Sequence, residues 1–225
     1  MWKSSIGLKL IVAVTGVLLF LFVIGHMIGN LQIYLGQNAL NLYAEKLRAF
    51  PPLLWTVRIG MLVIAVVHVT LTITLALANR AARPIKYERK EAVEATLSSR
   101  TMVYSGLSLF AFVVYHLMHF TWRMTNPQYA SLHDALGRPD VYSMVVMGFQ
   151  NVLISAVYII GMFVLGFHLN HAVASFFQTV GWSTPRTRPV LERIALLVAA
   201  IIVVGTISIP ITILLGLVHL PTGGA

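Results

Sequence analysis

Five stretches of this chain, approximately 6–28, 53–78, 101–120, 142–169 and 194–218, are apolar over about twenty residues or more. A helix needs about 20 such residues to cross the roughly 30 Å hydrocarbon layer of a membrane, where no water can satisfy a free N–H or C=O. The pattern predicts an all-α membrane protein with five transmembrane helices. Since 58% of the residues are hydrophobic and only 10% charged, little is left for a soluble domain, and residues 1–225 read as a single bundle. The first stretch is too long for a cleaved secretory signal and is expected to stay in the protein.

The formal charge of +9 invites a nucleic-acid reading, but the placement of the charges points to membrane orientation instead. Eleven of the sixteen basic residues fall at the N-terminus (Lys3, Lys9), between the second and third stretches (Arg80, Arg83, Lys86, Arg89, Lys90, Arg100) and between the fourth and fifth (Arg186, Arg188, Arg193). Lys46, Arg48, Arg58, Arg123 and Arg138 lie at the opposite ends. The N-terminus is therefore expected in the cytoplasm and the C-terminus outside. NALNLYAEKLRAF, ahead of Pro51-Pro52, reads as a short amphipathic helix at the outer surface. The loop 79–100, with both signs of charge, reads as a docking surface or a solvated turn.

Cysteine is absent, so disulfides, thiolate metal sites and iron–sulfur ligation are excluded for this chain. Histidine is not: of eight, His26, His68, His116, His119 and His168 fall in the first four apolar stretches and His171 two residues past the fourth, while His133 and His219 belong to polar ends. Imidazole inside a membrane is rare unless it faces the bundle interior, so these six are functional candidates. A weak repeat links them. Thr15-Gly16 and Ser105-Gly106 each have a glycine ten residues before a histidine, His26 and His116, while IGMLVIAVVH and IGMFVLGFH end at His68 and His168.

At about 1.5 Å per residue, His26 and His116 share the outer half of the membrane, and His68 and His168 share the inner half. Two imidazoles per level, without carboxylate or thiolate, suit a haem iron held from both faces, whereas zinc asks for three or four protein ligands. With both axial positions filled, such a haem transfers electrons and leaves no place for oxygen. Gly161, two turns before His168, is expected to leave room for a porphyrin, and Gly16 and Gly106 serve equally well as packing glycines. His119 and His171, one turn beyond His116 and His168, are the reserve ligands, because geometry alone does not choose within either pair.

These blocks, in this order, resemble the five-helix di-haem cytochrome b membrane anchor of succinate:quinone oxidoreductases and their fumarate reductase relatives. The resemblance covers SSIGLKLIVAVTGVLLFLFVIGHMIGNLQIYLG, NLYAEKLRAFPPLLW, VVHVTLTITLALANRAARPIKY, SGLSLFAFVVYHLMHF and FHLNHAVASFFQTVGW. It implies two b-type haems, a distal one on His26 and His116 and a proximal one on His68 and His168. It also implies a bacterial cytoplasmic membrane, a flavoprotein and an iron–sulfur subunit as partners, and menaquinone or another quinone as electron partner, and it leaves open a higher oligomer of such complexes. Succinate oxidation or fumarate reduction would occur in the flavoprotein, since this chain holds no group for dicarboxylate chemistry.

No carboxylate lies within an apolar stretch, so proton exchange with quinone must use water, His or a loop acid. Candidates for quinone or haem propionates are Asn30, Gln32, Glu45 and Arg48 on the outer side and Ser4, Arg83 and Tyr87 on the cytoplasmic side. Two other readings predict different features. A histidine-relay transporter calls for acids or broken helices at the midplane, which the sequence lacks. Another quinone-linked cytochrome b, as in formate dehydrogenase or hydrogenase, has a different helix count and ligand placement.

Overall fold

A computed structural model of the chain describes residues 5–82 and 102–221. Ser4, Arg83, Tyr87 and most of the loop 79–100 lie outside the described residues. The described residues fold as helices: α1 (Ser5–Leu31), a 3-10 turn (Gln32–Leu35), α2 (Gln37–Arg48), α3 (Pro51–Ala81), α4 (Met102–His116), α5 (Val141–Gln150), α6 (Val152–Thr179) and α7 (Arg188–Leu214). Among them α1, α3, α4 with the turn that follows it, α6 and α7 are long and apolar enough to cross a membrane.

Local chemistry sets the ends. Gly36 takes φ 91°, a conformation open to glycine, and turns the chain into α2. Pro51 and Pro52 occupy the first turn of α3, where a missing N–H costs nothing. The amphipathic segment before them is helical, as its spacing predicts. The fourth apolar stretch, by contrast, is two helices. Asn151 is extended (φ −78°, ψ 115°) and its side chain accepts from the Leu153 and Ile154 amides, so it ends α5 and caps a new helix, α6. The spanning helix therefore starts at Val152 and not near 142, and runs on to Thr179.

α6 packs along α7, where Gly166 admits Val203: a methyl group at Gly166 would stand 2.5 Å from it. α3 packs mainly on α1 and has no buried residue. The best-packed core lies at the α2 end, where Tyr142, Val146 and Phe149 of α5 meet Ile33, Leu40, Ile209 and Ile213. A polar cap closes that end. Asn41, 1% exposed, donates to Asp140 (2.9 Å) and Asp134 (3.1 Å) and accepts from the Tyr142 amide (3.0 Å). Gln37 donates to Asp140 at 2.7 Å, and Arg138 pairs with Asp134 at 2.7 Å. Burial pushes the Asp134 carboxyl up, but hydrogen bonds from Arg138, Asn41 and Leu136 outweigh it and hold the group down at about 2.

Candidate functional site

The histidines of α1 and α4 face each other. The His26 and His116 ring centroids are 5.7 Å apart, edge to face. Both rings line a cavity of about 330 Å³ at the α2 end, together with Phe112, Tyr158 and Met162. Two imidazoles that share one metal at about 2 Å each have ring centres roughly 6 Å apart, and to do so here the ring that presents its face would have to turn a nitrogen toward the other. Asn30, one turn beyond His26, donates to the His26 carbonyl (2.7 Å) and lies 3.3 Å from His26 Nε2. An amide NH2 is only a donor, so that nitrogen carries a lone pair.

The histidines of α3 and α6 are held in matching ways. Thr15 Oγ1 is 3.0 Å from His68 Nδ1 and donates to the Ile11 carbonyl at 2.8 Å. Ser105 Oγ is 3.1 Å from His168 Nδ1 and donates to the Met102 carbonyl at 2.9 Å. A hydroxyl whose one proton goes to its own helix can only accept, and in that arrangement each imidazole Nδ1 is the donor. The Nε2 of His68 and of His168 is thereby left with its lone pair, the ligand form of the ring. The neighbouring glycines make the approach possible. A methyl group at Gly16 would stand 3.2 Å from the His68 ring, and one at Gly106 3.4 Å from that of His168. The Thr-Gly and Ser-Gly pairs, which by spacing announce His26 and His116, thus serve the histidines of the adjacent helices.

α4 changes character just after His116, where Leu117–Thr121 forms a π-helical turn. The wider turn rotates His119 away from the cavity: it is fully buried, 0% exposed, against Phe120 (4.0 Å between centroids) and Gly148. Tyr158 Oη lies 3.3 Å from His116 Nδ1 and 3.0 Å from His119 Nδ1. One phenol proton cannot serve both, so the hydroxyl donates to one ring and accepts from the other. His119 Nε2 has no partner among the described residues. His171 is half-buried one turn past His168. The space at Gly161 is not open, since the Phe112 ring occupies it 2.7 Å from where a methyl group would be.

Of the other candidates, Gln32 is half-buried in the 3-10 turn, and Glu45 is exposed and 3.9 Å from Arg138. Arg48 lines the cavity, and so do Arg58 and Arg123, which their positions in separate loops and helix ends gave no reason to group. Burial, with the charges of Arg123 and Arg58, pulls the Arg48 guanidinium below its usual value. Arg123 has φ 56°, a left-handed conformation that costs a non-glycine residue about 1 kcal/mol or more.

Among the described residues no three metal-binding side chains converge. A metal held by two imidazoles would need further ligands, which a porphyrin would supply. His26 and His116 on α1 and α4, and His68 and His168 on α3 and α6, are the residues that would hold such a group. No protein-family model, no curated protein and no solved structure matches the chain.

Proposed function

We propose that the chain is the membrane-anchor and electron-transfer subunit of a succinate:quinone oxidoreductase, with one b haem between His26 and His116 and a second between His68 and His168. The observation that carries the reading is the duplicated hydroxyl-to-imidazole bond. Thr15 with His68 and Ser105 with His168 present two rings in the ligand tautomer, from helices that a porphyrin would bridge. A packing histidine has no need of a fixed tautomer, and two unrelated ones have no need of the same device.

Haems held so would pass single electrons between an iron–sulfur partner and menaquinone or another quinone. The chain's own residues do the rest. Thr15 and Ser105 orient the inner rings. Tyr158 does the same for His116 if it accepts from that Nδ1 and donates to His119. Asn30 sits where it can release His26 Nε2 to a metal while keeping its bond to the carbonyl. By the distribution of basic residues, the α2 end faces outward and the N-terminus the cytoplasm of a bacterial cell, where the flavoprotein and iron–sulfur subunits would dock.

The test is a visible spectrum of the chain purified with its partners. Low-spin bands that sharpen on dithionite reduction, with about two haems per chain by pyridine haemochrome, are expected. A stably folded chain without haem overturns the reading. Succinate-driven quinone reduction by the complex separates it from other quinone-linked cytochromes.

A further inference from the structure

Three cations converge where no acid among the described residues neutralises them. Arg48 at the end of α2, Arg58 in α3 and Arg123 beyond the π turn all line the cavity that holds His26 and His116, and among the described residues no Asp or Glu lines it with them. The acids of that end are engaged elsewhere: Asp134 and Glu45 with Arg138, Asp140 with Asn41, Gln37 and the α5 amides. Arg48 Nη1 and Arg123 Nε are shut off from solvent and have no hydrogen-bond partner among the described residues. Arg58 stands over the face of Trp55, 5.3 Å from its guanidinium carbon. Buried guanidinium nitrogens without acceptors are strongly unfavourable in a low-dielectric space. Arg123 also holds a left-handed backbone to put its side chain there. Strain and unmet donors at one place mark a ligand site, and the ligand must be an anion with several acceptor oxygens.

We propose that Arg48, Arg58 and Arg123 form a binding site for paired oxyanions at the α2 end of the cavity. Resting on the haem reading above, the oxyanions are the two propionate carboxylates of the porphyrin between His26 and His116. The same chemistry is offered by the phosphate of a lipid headgroup entering from that leaflet. The Arg fork matches either, and three of them give more positive charge than one carboxylate needs.

The experiment compares the full complex with Arg48→Gln, Arg58→Gln, Arg123→Gln, the triple Gln variant and the triple Lys variant. Three readouts are taken: the midpoint potential of each haem, infrared difference bands of haem carrying 13C in its propionate carboxyls, and phospholipid phosphorus retained after delipidation. Removing positive charge beside the iron favours its oxidised form. The triple Gln variant is therefore expected to weaken reduction of the outer haem about tenfold, or by about 59 mV for one electron. The labelled carboxylate bands shift as well, while the triple Lys variant keeps most of the wild-type potential. Unmoved bands with loss of bound phosphorus in the Gln variants, restored by phosphatidylglycerol vesicles but not by phosphatidylcholine alone, assign the site to lipid. Normal haem content with no change in potential, bands or phosphorus overturns the proposal and leaves the haem reading standing. A chain without haem removes that reading, and the phosphorus measurement alone then decides. If the triple variant does not accumulate, the single variants report the same quantities. Labelled carboxylate bands of the wild-type protein matching those of solvent-exposed haem, with no retained phosphorus, also overturn it.

Discussion

Thr15→Val removes one hydroxyl and keeps the side-chain volume. Thr15 is 8% exposed, and its Oγ1 is the acceptor for His68 Nδ1 at 3.0 Å. Without it that N–H loses its hydroxyl acceptor and has only the Val12 carbonyl within reach, a cost of about 1 kcal/mol. Bonds of this kind to a metal-binding histidine are worth roughly 10–100-fold in affinity. The inner haem is expected to wash out by that factor at matched detergent dilution, while the haem on His26 and His116 stays. A second readout is electronic. The Nδ1–H bond makes the imidazole a better donor and favours ferric iron, so its loss raises the inner midpoint potential. The ceiling is the bond's net worth of about 1 kcal/mol, or about 40 mV for one electron. Redox titration at two wavelengths resolves the two haems, and Thr15→Ser, which restores the oxygen, is expected to titrate like wild type. Ser105→Ala is expected to move the same haem through His168. If Thr15→Val alters the His26/His116 haem, or neither haem, the assignment of the hydroxyl to His68 is wrong.

Three other changes probe the rest of the bundle. Tyr158→Phe deletes the hydroxyl shared by His116 and His119, and is expected to weaken the outer haem about tenfold while sparing the inner one, read from haem content and the two potentials. Gly161→Ala puts a methyl group 2.7 Å from the Phe112 ring, so thermal unfolding in detergent is expected to show a loss of about 1–3 kcal/mol. The Asp134 carboxyl is lowered from the usual 3.8 to about 2 by folding, so its contribution to stability is complete above about pH 4 and fades as pH falls from there through about 2. Thermal unfolding followed from about pH 5 to about pH 2 is expected to show that loss, and Asp134→Asn to flatten it.

The five spans were legible because a membrane imposes a length of apolar sequence that few other environments require. The break at Asn151 was not, since one capping residue inside an apolar run leaves hydropathy almost unchanged while ending a helix. The histidine pairing by depth follows from helical rise alone and agrees with the 5.7 Å approach of His26 and His116. The roles of Thr15 and Ser105 escaped because spacing along one helix says nothing about reach across to the next. The arginine cluster escaped for the same reason: Arg48, Arg58 and Arg123 lie on three elements, and only folding gathers them. Gly161 misled because an absent side chain announces space without saying what fills it.

The duplicated bonds divide the bundle in an unexpected place. Each lies within a helix pair, α1 with α3 and α4 with α6, whereas the approach of His26 to His116 joins one pair to the other. α3 buries nothing of its own and rests mainly on α1. α1 also meets α6 and α7 directly, where Phe20 and Met27 pack with Leu169, Ala199 and Ile202, so side-chain packing joins the two pairs as well as the approach of His26 to His116.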